Sequence, residues 1–210
     1  MSNRKRLVVA SRNRAKAAEI AQILADQGLG FEVVSMADFP DLQLPPETGA
    51  TFASNAAMKA KQAAQATGLP AIADDSGLEI TALGGEPGIR SARYAGEDAT
   101  DEDRSRKVLA LVADVPGHRR RARFRCAAAY AEPEGEVMLA EGTCSGRISR
   151  EPEGTGGFGY DPIFIPDGYS LTMAQLTPAQ KHSISHRGRA FRLLAQMIRE
   201  HLGSTDRDAH

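Results

Sequence analysis

The sequence predicts an α/β fold, and three observations predict it. The run Arg6 to Ala10 is short, β-branched and apolar, and it passes through the polar turn S-R-N-R-A-K into a helical pattern. An Ala-rich helical segment, Thr51 to Thr67, feeds a second apolar run, Ala71 to Ala73, which is cut off by two adjacent acids, Asp74 and Asp75. Further on, Arg121 to Tyr130 and Glu136 to Gly146 alternate apolar and polar residues on either side of a turn at Pro133 to Gly135, the pattern of a hairpin.

At 210 residues the chain is long enough to bury roughly 70% of its unfolded surface in one domain without covalent staples. Its 41% hydrophobic and 25% charged content is that of a globular protein. The net charge of -1 gives no global reason to expect nucleic acid or an anionic membrane. Two cysteines, Cys126 and Cys144, lie in no metal-ligand spacing, which argues for a reducing compartment and against a thiolate zinc site. Neither an apolar signal region nor an apolar run approaching 18 residues occurs, so the expected location is the cytoplasm.

In chain order, the first helix carries Ala17, Ile20, Ala21 and Leu24 on one face and ends at Gly28 or Gly30. Its N-terminus presents orphan N–H groups beside Ser11, Arg12, Asn13 and Lys16, an arrangement suited to an anion such as phosphate or, more plainly, to an N-cap with surface bases. Phe31 to Met36 is the next strand, and a Pro-rich loop containing Glu47 follows. The helix over Thr51 to Thr67 is capped by Thr51 or Ser54 and stopped by Gly68 and Pro70, with Asn55 and Lys59 on an Ala-lined face.

The stretch A-I-A-D-D-S-G reads as a strand delivering Asp74 and Asp75 to a turn. Two carboxylates at about 4 Å repel by roughly 4 kcal/mol at an intermediate effective dielectric, so a cation beside them, Mg²⁺ first among hard ions, is one reading. A pair of solvated turn residues is the other. Leu78 to Leu83 is a half-buried strand, Ile89 to Asp98 a functional or interface loop, and Asp101 to Ala113 a helix.

The run His118 to Arg125 holds five arginines and could follow a phosphodiester backbone; a solvated or partner-facing strand explains it with fewer assumptions, because tryptophan is absent and aromatics are 5%. In Arg150 to Pro162, four glycines surround Phe158 and Tyr160, so the backbone can approach a flat ligand on which a ring stacks. Lys181 to Gly188 enters a final helix with Phe191, Leu194, Ala195, Ile198 and Leu202 in one stripe, and residues 204–210 form a flexible tail.

Six stretches, S-R-N-R-A-K, E-T-G-A-T-F-A-S-N-A-A-M-K-A, A-I-A-D-D-S-G-L, L-G-G-E-P-G-I-R-S-A-R-Y-A-G, G-T-G-G-F-G-Y-D-P-I-F and S-H-R-G, occur in that order. With them the chain resembles the inosine/xanthosine triphosphate pyrophosphatases over roughly Arg6 to Leu202. The resemblance implies a long mixed central sheet with two lobes flanking a substrate cleft, residues 1–203 as one bilobal domain, and Mg²⁺-dependent hydrolysis of ITP, dITP and XTP to the monophosphate and pyrophosphate by a homodimer. A related enzyme acting on pyrimidine triphosphates would share this logic.

By matching position, the resemblance implies Glu47 and Asp75 as metal ligands with Asp74 close by, Asp75 as the base toward water, and Lys59 as a catalytic cation. Ser11, Arg12, Asn13, Arg14, Ala15 and Lys16 form the implied phosphate segment, and Ser76 is a further substrate contact. Phe158, Gly159, Tyr160, Asp161, Lys181, His186 and Arg187 correspond to the nucleoside side. One departure stands out: the family's first motif reads Thr-Gly-Asn where this chain has Ser11-Arg12-Asn13. Arg12 there replaces close backbone approach with a charge-assisted bond.

Overall fold

A computed structural model describes residues 5–43, 45, 46 and 48–208, with backbone alone at Ala15 and 204–208. Within them the chain forms strands β1 (Arg6–Val9), β2 (Glu32–Ser35), β3 (Ala71–Ile80), β4 (Arg121–Ala131), β5 (Val137–Ile148) and β6 (Phe164–Pro166). The helices are α1 (Arg14–Asp26), α2 (Phe52–Thr67), α3 (Asp101–Leu111), α4 (Pro178–Ile184) and α5 (His186–Asp208). The strands make one sheet in the order β2-β1-β3-β4-β5-β6. It is mixed, as expected: β1 runs parallel to β2 and to β3, whereas β5 and β6 are antiparallel.

Contacts divide the chain into two compact units. The first comprises residues 1–75, 127–142 and 187–210; the second comprises 76–126 and 143–186. Apolar residues buried in the first unit include Leu7, Ile20, Leu24, Ile72, Phe191 and Leu194. In the second, Leu78, Ile80, Val108, Phe124, Ile163 and Phe164 belong to one core cluster. Among the described residues no helix is long and apolar enough to cross a membrane.

Local chemistry accounts for the elements that frame the functional residues. Thr51 caps α2, with its hydroxyl accepting the Ser54 N–H and the Ser54 side chain answering the Thr51 backbone, and Gly68 ends the helix at φ 66°. Within α2 the small residues Ala56, Ala60, Ala63 and Ala64 are fully buried, which brings the helix backbone close to its neighbours. Lys61 on the same helix donates to the carbonyls of Pro133 at 3.1 Å and Gly135 at 2.7 Å, tying down the turn between β4 and β5.

Three expectations are corrected. The D-D-S-G sequence is no turn: β3 runs unbroken from Ala71 to Ile80, because Asp74 and Asp75 find protein partners on either side and need not seek solvent. Residues 181–188 do not enter a single helix, since α4 ends at Ile184, Ser185 takes an extended conformation and α5 starts at His186. That last helix continues to Asp208, into the 204–210 segment expected as a flexible tail. The basic run also has a local explanation. Arg121 forms a two-pronged pair with Asp167 at 2.7 and 2.8 Å, while Arg123 and Arg125 share Glu79 at 2.6 and 3.3 Å.

Gly146 on β5 faces Pro166 on β6. A Cβ at this position would collide with the Ile165 carbonyl oxygen and come within 2.7 Å of the Phe164 ring. Gly146→Ala should therefore cost about 1–3 kcal/mol of unfolding free energy in a denaturant titration. Gly117→Ala, where a Cβ meets nothing within 4 Å, should leave the midpoint unchanged; equal midpoints for both variants would contradict the packing described.

Candidate functional site

Successive side chains of a strand point to opposite faces, so the two acids of β3 part company. Asp74 is drawn to α1 and α5. Its side chain is 1% exposed, with Lys16 Nζ at 2.7 Å from one oxygen and Arg187 Nε at 3.4 Å from the other. Burial alone would raise its pKa; the charges of Lys16 and Arg187 and the Lys16 hydrogen bond outweigh it and hold the carboxyl well below the usual carboxylate range. Arg187 also reaches Glu19 at 3.1 Å, which lies one turn beyond Lys16 on α1. The four groups carry two positive and two negative charges, so a nearly dry cluster is neutral as a whole.

Asp75 faces α2 instead. Asn55, itself 4% exposed, donates its amide N–H to Asp75 Oδ2 at 2.9 Å and accepts the Gly49 N–H at 2.8 Å. Lys59, one helical turn further along, lies 3.5 Å from Asp75 Oδ1. A Cβ on Gly49 would overlap Asn55 Oδ1 and Ser54 Oγ, so glycine is needed for this close approach. Asn55 was expected beside Lys59 on one face of this helix, but with no role of its own. The available signal was a polar residue four positions before Lys59 on an otherwise Ala-lined face.

The phosphate-segment residues cluster at the start of α1. Asn13 caps the helix by accepting the Lys16 N–H at 3.1 Å, and Ser11 Oγ accepts the Asn13 N–H at 3.2 Å. Arg12 donates to the Leu42 carbonyl at 2.7 Å, and Arg14 pairs with Asp38 at 2.8 Å. Ala15 contributes backbone to the first turn of α1. Ser11, Arg12 and Lys59 share the lining of a cavity of about 580 Å³ with Met36, Pro40, Leu42, Gln43 and Pro45. Ser11 and Arg12, just before α1, and Lys59 of α2 thus line one cavity, and its two cationic side chains suit an anion.

Glu47 lies outside the described residues. Among the described residues no group of three or more His, Cys, Asp or Glu side chains could hold a metal by protein ligands alone. The donor chemistry nonetheless fits a hard divalent ion. Mg²⁺ is commonly held by one or two carboxylates together with substrate phosphates and water, and Asp75, at 15% side-chain exposure, offers such a carboxylate.

In the second unit, the glycine-rich loop gathers a second set. Phe158 is 53% exposed, whereas Tyr160 is buried at 4% and donates its hydroxyl to the Ser91 carbonyl at 2.9 Å; of the two rings Phe158 is the one open to solvent and Tyr160 belongs to the core. Burial pushes the Tyr160 phenol above its ordinary pKa. Asp161 Oδ2 accepts from Lys181 Nζ at 2.6 Å and from the Phe158 N–H at 2.9 Å, and the ammonium stands 4.8 Å from the Phe158 ring centroid. Gly157, at φ 74°, leaves the room this requires, since a Cβ there would strike Asp161 Oδ2 and come within 2.9 Å of Lys181 Nζ. His186 stacks on Phe124 at 4.8 Å. Arg187 belongs to the first unit, with Asp74 and Glu19. Ser76 follows Asp75 on β3 as the first residue of the second unit.

Residues 7–197 match the Ham1 family. A dITP/XTP pyrophosphatase of Streptomyces coelicolor is 49% identical, covering 94% of this chain and 99% of its own, and one of Nocardia farcinica is 51% identical over 90% and 92%. Among solved structures, the Ham1 protein of Staphylococcus aureus superposes with a TM-score of 0.83 at 42% identity, covering 94% of this chain and all of its own. A nucleoside-triphosphatase, dITP/XTP pyrophosphatase, of Mycobacterium abscessus gives 0.74 at 46% identity, over 90% and 98%.

The Asn55 geometry generates a measurable expectation. Asn55→Leu keeps the bulk while removing one bond to a carboxylate and one to a buried loop N–H, and should lower unfolding free energy by about 2–3 kcal/mol in urea titration. A loss below about 0.5 kcal/mol would mean that Asn55 does not hold Gly49 and Asp75 together.

Proposed function

Because the chain belongs to the Ham1 family, we propose that it hydrolyses non-canonical purine nucleoside triphosphates, ITP, dITP and XTP, to the nucleoside monophosphate and pyrophosphate. The observation that carries this reading is the division of labour on β3, where Asp74 is buried in a charge cluster and Asp75 is oriented by Asn55 and Lys59 at a partly exposed position. Two relatives named dITP/XTP pyrophosphatase, about half identical over nearly their whole length, support the substrate class.

In this reading Asp75 has two tasks: it accepts a proton from the attacking water, and with Glu47 it would hold Mg²⁺. When bound, the ion lowers the pKa of water and neutralises phosphate oxygens. Asn55 keeps the Asp75 carboxylate fixed, so little reorganisation is needed when the proton moves. Lys59 brings a cation to the same carboxylate and to the phosphate it serves; a contact of this kind is typically worth about 3 kcal/mol in a barrier. Ser11, Arg12, Asn13, Arg14, Ala15 and Lys16 hold the triphosphate through the first turn of α1, and Ser76 is a further substrate contact. Arg12, in place of a glycine, binds the Leu42 carbonyl and so fixes the wall of the phosphate cavity.

On the nucleoside side, Phe158 and Gly159 supply the stacking surface, with Tyr160 beneath and Asp161 orienting Lys181. Lys181 and His186 donate to the oxygen at purine position 6. Adenine presents an amino donor there and leaves such donors unmatched, a mismatch able to discriminate on the order of 10⁴-fold. Arg187 acts through its grip on Asp74. The working state is a cytoplasmic homodimer, as the family resemblance implies.

Incubation with ITP and Mg²⁺ should yield IMP and pyrophosphate, separated by anion-exchange chromatography. Release of IDP and orthophosphate would overturn the proposed bond cleavage, and faster turnover of dCTP or dUTP in the same panel would move the substrate class to pyrimidines.

A further inference from the structure

The loop Ile89 to Asp98 and helix α3 have no part in the roles above, yet they are bonded to the glycine-rich loop at several points. Arg104 of α3 donates to the Ala92 carbonyl at 3.0 Å, and Lys107 donates to the Tyr94 carbonyl while standing 4.5 Å from the Tyr94 ring. Ser91, which receives the Tyr160 hydroxyl on its carbonyl, accepts the Leu78 N–H at 2.9 Å on its own side chain. The same helix reaches the residue after Phe158. Asp101 Oδ2 accepts the Gly159 N–H at 2.7 Å, Ser105 Oγ donates to the Gly159 carbonyl at 3.4 Å, and the other oxygen of Asp101 is paired with Arg104.

The two peptide planes that flank Phe158 are thus each held by a carboxylate. The Phe158 N–H goes to Asp161, and the Gly159 N–H goes to Asp101. With both planes fixed, the backbone of Phe158 has little freedom, and its exposed ring keeps only its own side-chain torsions, one face carrying the Lys181 ammonium. Gly159 adopts φ 63°, a conformation glycine takes without strain, so the turn is set by this residue and pinned by the Asp101 bond. A ring held in place before a ligand arrives binds more tightly, because less ordering remains for binding to offset.

We infer that Asp101 is a positioning residue for purine binding, acting through the Gly159 N–H on the orientation of the Phe158 ring. The inference rests on the reading of Phe158 as the stacking ring. Asp101 contacts no reacting atom in this account, so its loss affects the capture of the base and leaves the hydrolytic step alone. Stacking does not read the exocyclic groups of a purine, so the effect falls on ITP and XTP alike.

Two variants and two readouts test this. Asp101→Ala removes the acceptor; Asp101→Asn keeps an acceptor oxygen for the Gly159 N–H. The Thr100–Asp103 capping box remains in both, so α3 keeps its start. Asp101→Ala should raise KM for ITP and for XTP about tenfold with kcat within about twofold, the scale of one lost bond to a charged group. Asp101→Asn should recover most of the loss. Hydrogen exchange at the Gly159 amide, measured without nucleotide, should quicken in the Ala variant and stay near wild type in the Asn variant. Unchanged KM for the Ala variant in an enzyme that hydrolyses ITP would overturn the inference alone, as would unchanged Gly159 exchange. A fall confined to kcat would also overturn it. Absence of ITP turnover in the unaltered protein would remove the functional reading on which it rests, and this inference with it.

Discussion

The first unit depends on one buried interaction: the carboxylate of Asp74 set between Lys16 and Arg187. A lone carboxylate at 1% exposure would lose its hydration with nothing in exchange. Here the start of α1, the middle of β3 and the start of α5 meet because each brings a charge that the others need. Glu19 completes the balance by engaging Arg187. Removing one partner from such a cluster typically costs about 3–5 kcal/mol, whereas the intact cluster adds little net stability. Its main contribution is specificity, since it sets where three elements must meet and how β3 is rotated.

That rotation decides the chemistry. Once Asp74 is committed to α1 and α5, strand geometry turns Asp75 the other way, toward Asn55 and Lys59 on α2. Adjacent acids in the sequence therefore occupy unlike environments, one buried in a charge cluster and one partly exposed. In the second unit a comparable economy holds: Asp161 serves Lys181 and Phe158 at once, and Asp101 serves Gly159 and Arg104. In each case one carboxylate holds two groups in place.

Much of this was legible in the sequence, for stated reasons. Helix α2 announced itself through Thr51, Gly68 and its alanines, since caps and stops are local chemistry. Motif order carried the family. What failed were judgements where distant partners override local preference. The D-D-S-G stretch has the composition of a turn, and only Lys16, Arg187 and Asn55, far away in the chain, make it a strand. The break between α4 and α5 at Ser185 had no proline or glycine to signal it. For Arg121, Arg123 and Arg125 a polyanion track stayed open as the less favoured reading, because Glu79 and Asp167, which pair with them, lie more than forty residues off. Asn55 and Asp101 read as ordinary helix residues, their bonds being visible only in three dimensions.

The division between the two acids is the central claim, and a side-by-side comparison of Asp74→Asn and Asp75→Asn tests it most directly. Thermal midpoint and pyrophosphate release from ITP would be measured on both proteins at a temperature where both are folded. The account predicts that Asp74→Asn lowers the midpoint markedly, while Asp75→Asn keeps a midpoint near that of the unaltered protein and releases no pyrophosphate. Retained turnover in Asp75→Asn, or a loss of stability there equal to that of Asp74→Asn, would contradict it.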